Sequence, residues 1–108
     1  MKRGDVYWVS FDPSVGGEMQ KTRPAIILSN DAANVVLNRV LVVPITSKTE
    51  RVFPGEALIT LNGERRKAMA DQLTTASKLR LGKRMGAISL ADTGKVEQAV
   101  LLQLGIRL

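Results

Sequence analysis

The sequence predicts a mainly β (α+β) chain: a small barrel or strongly curved sheet with one C-terminal α-helix packed on it. Three observations carry this. Short runs rich in β-branched, aromatic and aliphatic residues fill the first two-thirds of the chain. Turn-forming Gly, Pro, Asn and Asp separate them at intervals of about 8–12 residues, the rhythm of small barrels and sandwiches. Helical spacing of apolar residues follows Ser89, at the end of the chain.

The elements follow in order. Val6-Tyr7-Trp8-Val9-Ser10-Phe11 forms the first strand and stops at Asp12-Pro13. Pro24-Ala25-Ile26-Ile27-Leu28, ending at Ser29, is a continuous apolar run, as a strand buried on both faces would be. Arg39 to Ile45 forms a third strand, in which Pro44 argues for an edge or a bulge because proline donates no ladder bond. Ala57–Leu61 and Arg65–Ala70 flank Asn62-Gly63 and make a hairpin. Asn-Gly supplies the two positive φ angles of a type I′ turn. Arg84 to Ile88 adds a last strand. Ser89 with Asp92 has capping-box spacing. Val96, Ala99, Val100 and Leu104 then recur helically, and Gly105 fits the position just past a helix end. Gly94 inside this stretch weakens it by about 1 kcal/mol relative to Ala.

With 108 residues, 44% of them hydrophobic, the chain suits a single domain over 1–108 with a real core. It has no Cys and no His. That excludes a disulfide framework, a thiol nucleophile, an imidazole acid or base and an ordinary zinc site, so no metal or cofactor is expected. No run approaches the ~18 apolar residues of a membrane span. Asp12-Pro13 interrupts any signal-like stretch, so a cytoplasmic protein with no membrane partner is expected. Lys and Arg number 16 against 10 Asp and Glu, a net charge of +6. Residues 65–84 alone hold seven cations and one acid, Asp71, so this stretch carries +6 while the remainder balances. Such an excess favours polyanionic partners.

Three segments have the residue types of a site. Residues 13–24 join two apolar strands and hold Gly16, Gly17, Glu18, Gln20, Lys21 and Arg23. By composition this is a solvated loop. However, Arg23-Pro24 roots a strand, and an anchored guanidinium suits phosphate recognition. Pro44-Ile45-Thr46-Ser47-Lys48 brings two hydroxyls and an ammonium to a strand end, either as a local Ser/Thr turn or as a phosphate cradle. Asp71-Gln72 either neutralises neighbouring cations or accepts bonds from a splayed base. Of the four aromatic residues, Tyr7, Trp8 and Phe11 are assigned to the core and Phe53, beside Pro54 in a polar loop, to base stacking.

The order of these motifs resembles the MazF/PemK toxin family. Arg3-Gly4-Asp5, Asp12-Pro13-Ser14-Val15-Gly16 with Glu18, Thr22-Arg23-Pro24, Leu28-Ser29-Asn30-Asp31 and Val42-Val43-Pro44-Ile45-Thr46-Ser47 carry the resemblance, followed by Ala70-Asp71-Gln72, Arg80-Leu81 and Gly86. It covers nearly the whole chain. The resemblance implies an SH3-like barrel of the MazF/PemK/CcdB type with short helices. It also implies a homodimer, a cognate acidic antitoxin whose disordered tail occupies the RNA groove, and metal-independent cleavage of single-stranded RNA, mostly mRNA, that halts translation. The expected ends are a 2′,3′-cyclic phosphate and a 5′-hydroxyl.

By the same resemblance, Arg23 and Thr46 match the residues most often given catalytic roles, and Glu18 matches the loop Glu. Where some members carry a His before that Glu and an Arg two residues before the later Asp, this chain has Gly17 and Met69. Met19 and Lys21 stand where many members have Gln and Gly. The expected roles are charge stabilisation by Arg23, positioning by Thr46 and proton abstraction by Glu18. RNA is expected to meet Gln20, Lys21, Ser47, Lys48, Arg51, Phe53, Asp71, Gln72 and Lys78. Arg65, Arg66, Lys67, Lys83 and Arg84 would share that surface with solvent or a dimer partner. Two other classes remain open: a CcdB-like poison of DNA gyrase without chemistry of its own, and a non-catalytic RNA-binding barrel.

Overall fold

The computed structural model describes residues 1–13 and 15–107; Ser14 of the Asp-Pro-Ser-Val-Gly motif and Leu108 lie outside the described residues. Seven strands and two α-helices run in the order β1 (Asp5–Ser10), β2 (Thr22–Ile27), α1 (Asp31–Val36), β3 (Arg39–Thr46), β4 (Glu56–Leu61), β5 (Glu64–Met69), β6 (Thr74–Ser77), β7 (Leu81–Ala87) and α2 (Leu90–Gln103). Single 3₁₀ turns at Ala70–Gln72 and Lys78–Arg80 flank β6.

All strand pairings are antiparallel, in the spatial order β4-β5-β3-β2-β1-β7, with β6 on β3. β3 is the hinge of this sheet. One of its edges holds β2, while the other pairs with β6 through residues 39–42 and with β5 through Ile45 and Thr46. Pro44 stands in the gap between those two partners. β3 is therefore interior rather than an edge, and the proline marks a change of partner in the ladder.

The resulting curl splits the core in two. Val6, Ile26, Val43 and Ile45 pack on one face with β4, β5 and the Val96, Ala99 and Val100 stripe of α2. Val9, Ala25, Ile27, Val40 and Val42 pack on the other with Ala76, Tyr7 and Phe11. β2 and β3 thus bury both faces, which is why their sequences read as continuous apolar runs. The β4–β5 hairpin turns through Asn62 (φ +51°) and Gly63 (φ +81°), the type I′ geometry its sequence predicts. The Asn62 side chain also donates to the Met85 carbonyl at 3.0 Å, which ties the hairpin tip to β7 and closes the curl. Gly86 makes room for it, because a Cβ there would lie 2.8 Å from Asn62 Oδ1.

Two family motifs turn out to be structural clamps. Arg3 donates to the Leu28 carbonyl and pairs with Glu97, holding the N-terminus across β2 and α2. Asp5 pairs with Arg84 at 3.2 Å. Burial alone would raise the Asp5 pKa, but the Lys2 N–H and the Arg84 guanidinium outweigh it and hold the carboxyl below its ordinary value. In Leu28-Ser29-Asn30-Asp31, Asn30 caps α1 by accepting from the Ala33 N–H at 2.8 Å, and Ser29 accepts from the Leu41 N–H. α1 and β6 carry little local sequence signal: α1 is only six residues long, and β6 is four residues without an apolar run.

At α2, Ser89 accepts from the Asp92 N–H at 3.0 Å, as expected of an N-cap. The reciprocal half of the capping box is diverted. Asp92 instead accepts from the Thr60 N–H at 2.8 Å, covering a donor of edge strand β4. The helix ends in a Schellman motif: Gly105 has φ +73°, and the Ile106 N–H reaches the Leu101 carbonyl.

Candidate active site

The long connection between β1 and β2 is closed at its neck. Phe11 donates its N–H to the Lys21 carbonyl at 2.8 Å, and Lys21, at φ +65°, donates its own to Asp12 Oδ1 at 2.9 Å. The positive φ turns the chain into β2 two residues before Arg23. Residues of this connection line two separate hollows.

The first, about 470 Å³, has an apolar part and a polar part that holds three cations. Trp8 of β1, its cross-strand partner Pro24, Ile45 of β3 and Met85 of β7 form the apolar part. Lys21, Thr22, Arg23, Thr46, Ser47 and Arg66 form the polar part, and no carboxylate lines it among the described residues. Arg23 sits in strand register with Val9, is kept extended by the following proline, and directs its Nε to the Gln20 carbonyl at 3.5 Å. Thr46 is the last residue of β3 and pairs with Lys67 of β5. Its Oγ1 accepts from the Lys48 N–H at 3.2 Å, which leaves the hydroxyl proton to donate elsewhere. The hollow can therefore offer a guanidinium, an ammonium and hydroxyl donors to one anionic group.

The second hollow, about 310 Å³, holds Glu18, Asp71 and Gln72 with Ser10, Phe11 and Arg80. Glu18 does not join Arg23 and Thr46; its Oε1 accepts from the Val15 N–H at 2.9 Å. Gln72 donates to the Gly17 carbonyl at 3.2 Å, and Arg80 donates to the Ser10 and Asp12 carbonyls at 3.0 and 2.7 Å. These two side chains pin the β1–β2 connection to the segment around β6.

The remaining predicted residues are spread around the molecule. Lys48 and Arg51 are exposed, and neither forms an ion pair among the described residues. Phe53 is 58% exposed and lines neither hollow. Lys78 donates its ammonium to the Asn34 carbonyl of α1 and also lines neither. The basic stretch 65–84 is largely spoken for within the fold. Lys67 is buried and paired with Glu56 at 3.1 Å, Arg66 pairs with Glu64 and Arg84 with Asp5.

Trp8 overturns a sequence expectation. Rather than filling the core, it is 38% exposed and lines the hollow with Arg23 and Thr46. No local signal marks this, because the register of β1 on β2 and the passage of β7 decide it. Met85 was missed for the same reason, and Arg66, expected only as part of a shared basic surface, likewise reaches the hollow from a strand distant in sequence.

A curled antiparallel sheet carrying a basic hollow at a strand root defines a small β-barrel class of protein, and comparison with known proteins makes this specific. Residues 2–104 match the family model described as PemK-like, MazF-like toxin of type II toxin–antitoxin system, and the chain belongs to that family. It is 34% identical over 115 aligned positions to Endoribonuclease MazF9 of Mycobacterium tuberculosis, covering 98% of each chain. It superposes with a TM-score of 0.83 on a mycobacterial endoribonuclease solved in complex with its cognate antitoxin, at 26% identity, covering 100% of this chain and 98% of that one. It also shares the fold of Deinococcus radiodurans MazF, with a TM-score of 0.85 at 24% identity over 98% and 97% of the two chains.

Proposed function

We propose that this toxin is a metal-independent endoribonuclease that cleaves single-stranded RNA at short sequences, mRNA foremost, and so arrests translation in the cytoplasm. The observation that supports it is the convergence of Arg23 and Thr46 on one hollow, lined among the described residues by cations and hydroxyls but no carboxylate. The substrate's 2′-oxygen attacks the adjacent phosphorus, the bond to the 5′-oxygen breaks, and a 2′,3′-cyclic phosphate and a 5′-hydroxyl result. Arg23 neutralises the charge that builds on the phosphoryl oxygens, and the Thr46 hydroxyl donates to one of them and holds the chain in line. The 2′-hydroxyl proton must go to a base, and the leaving oxygen takes a proton from water. For Glu18 to be that base, it must leave Val15 and cross from the neighbouring hollow as RNA binds. Gln20, Lys21, Ser47, Lys48 and Arg51 would then follow the backbone, and Asp71 and Gln72 would face a base. Phe53 and Lys78 would meet RNA only further along the strand.

The protein is proposed to act as a homodimer held in check by an acidic antitoxin; that a mycobacterial structural relative was solved in complex with its cognate antitoxin supports the antitoxin part of this reading. The test is incubation of the purified protein with a long RNA in EDTA. Discrete fragments ending in 5′-hydroxyls are expected. Intact RNA that merely shifts on a gel would mark a non-catalytic RNA-binding barrel instead, and inhibited supercoiling with intact RNA would mark a gyrase poison.

A further inference from the structure

The Arg23–Thr46 hollow has more apolar surface than phosphate recognition needs. Phosphate contacts call for the cations and hydroxyls of Lys21, Arg23, Thr46 and Ser47. They do not call for an indole, a proline, an isoleucine and a methionine side by side. An interior strand of a seven-stranded sheet is also an unusual place for a Trp that stays 38% exposed. A nucleotide has the same two-part character as this lining: an anionic phosphate joined to a flat apolar base.

We propose that Trp8 is the stacking platform for the base next to the scissile phosphate, and so a positioning residue for cleavage. This rests on the endoribonuclease reading. Trp8 partners Pro24 across the β1–β2 ladder, Arg23 partners Val9, and Trp8 and Arg23 both line this hollow. A base seated on the indole would have its own phosphate in the hollow that Arg23 lines. Tyr7 and Phe11 pack against the second core and Phe53 lines neither hollow, which leaves Trp8 as the aromatic surface at this site. Stacking tolerates any base, so the contact adds affinity and alignment but no sequence preference.

Trp8 is the single Trp of the chain, so its intrinsic fluorescence reports the contact directly. The probe is single-stranded DNA of mixed sequence, which lacks the 2′-hydroxyl and cannot be cleaved by 2′-oxygen attack. Saturable quenching of the indole on titration is expected, with a midpoint matching binding read by anisotropy of a labelled oligonucleotide. Trp8→Leu should bind about tenfold or more weakly, and Trp8→Phe, which keeps a ring and guards against loss of fold, should recover most of the difference. RNA cleavage by Trp8→Leu should fall mainly through KM, with the sequence preference unchanged. Oligonucleotide binding with unchanged emission, or Trp8→Leu binding within twofold of wild type, would overturn the proposal. Quenching by polyglutamate but not by the oligonucleotide would also overturn it, by assigning the apolar surface to a peptide. Quenching without RNA cleavage leaves stacking intact and removes the endoribonuclease reading. Cleavage that is indifferent to Trp8→Leu does the reverse.

Discussion

Arg23 owes its value to where the chain holds it. The positive φ of Lys21 and the restriction imposed by Pro24 place the guanidinium at a strand root, where less conformational freedom is lost on binding a phosphate than at a loop tip. Arg23→Ala should lower the cleavage rate about 10²–10³-fold with unchanged circular dichroism, since the side chain is exposed and packs against no core. A folded variant with normal turnover removes the assignment. Asp5 is a residue of the other kind, structural and titratable. Its carboxyl is more acidic folded than its ordinary value of 3.8, so its contribution to stability is complete above that value and is lost as pH falls through the lower folded pKa. Denaturation followed from pH 6 to pH 2 should show wild type losing stability more steeply below pH 4 than Asp5→Asn does.

At the scale of elements, charges mostly serve to join strands and helices. Lys67, buried on β5, meets the Glu56 carboxylate of β4 and the Arg51 carbonyl, which anchors the connection that follows β3. Lys67→Ala leaves Glu56 without its cation, and a loss of about 3 kcal/mol in urea denaturation is expected. The N-cap of α2 is a smaller effect. Ser89→Ala removes one bond to the Asp92 N–H and should cost about 1 kcal/mol, with RNA cleavage unaltered. Asp92 matters differently, because it stitches the helix to the free edge of β4. The same logic explains why Arg-Gly-Asp and Leu-Ser-Asn-Asp, which are polar, exposed-looking motifs in the sequence, act as clamps and caps.

Over the whole molecule, the net charge of +6 is partly neutralised where the sequence concentrates it. Arg66, Lys67 and Arg84 of the stretch 65–84 are neutralised in ion pairs, whereas Lys21, Arg23, Lys48 and Arg51 form no ion pair among the described residues. RNA affinity should therefore fall with salt by a slope of about −0.7 for each phosphate neutralised on a single strand. Measured on a non-cleavable oligonucleotide, a double replacement of Lys48 and Arg51 by Gln should make that slope shallower. Replacing Lys67 should leave it unchanged wherever the fold survives.

Much of the fold was legible because strand, hairpin and helix signals are local. The Asn62-Gly63 turn, the two-faced apolar runs of β2 and β3, and the periodic α2 all follow from side-chain spacing. Short α1 and β6 were not legible, since few residues carry their pattern and tertiary contacts hold them. The residues of the site divide in the same way. The sequence by itself determined that Arg23 roots a strand and Thr46 ends one, because proline and β-branched neighbours act over one or two residues. Only the tertiary structure decided that the two line one hollow, that Glu18 lines another, and that Trp8 stands exposed beside the cations. Those facts depend on strand register and on the curl of the sheet, which pairings between distant residues set and no local spacing encodes.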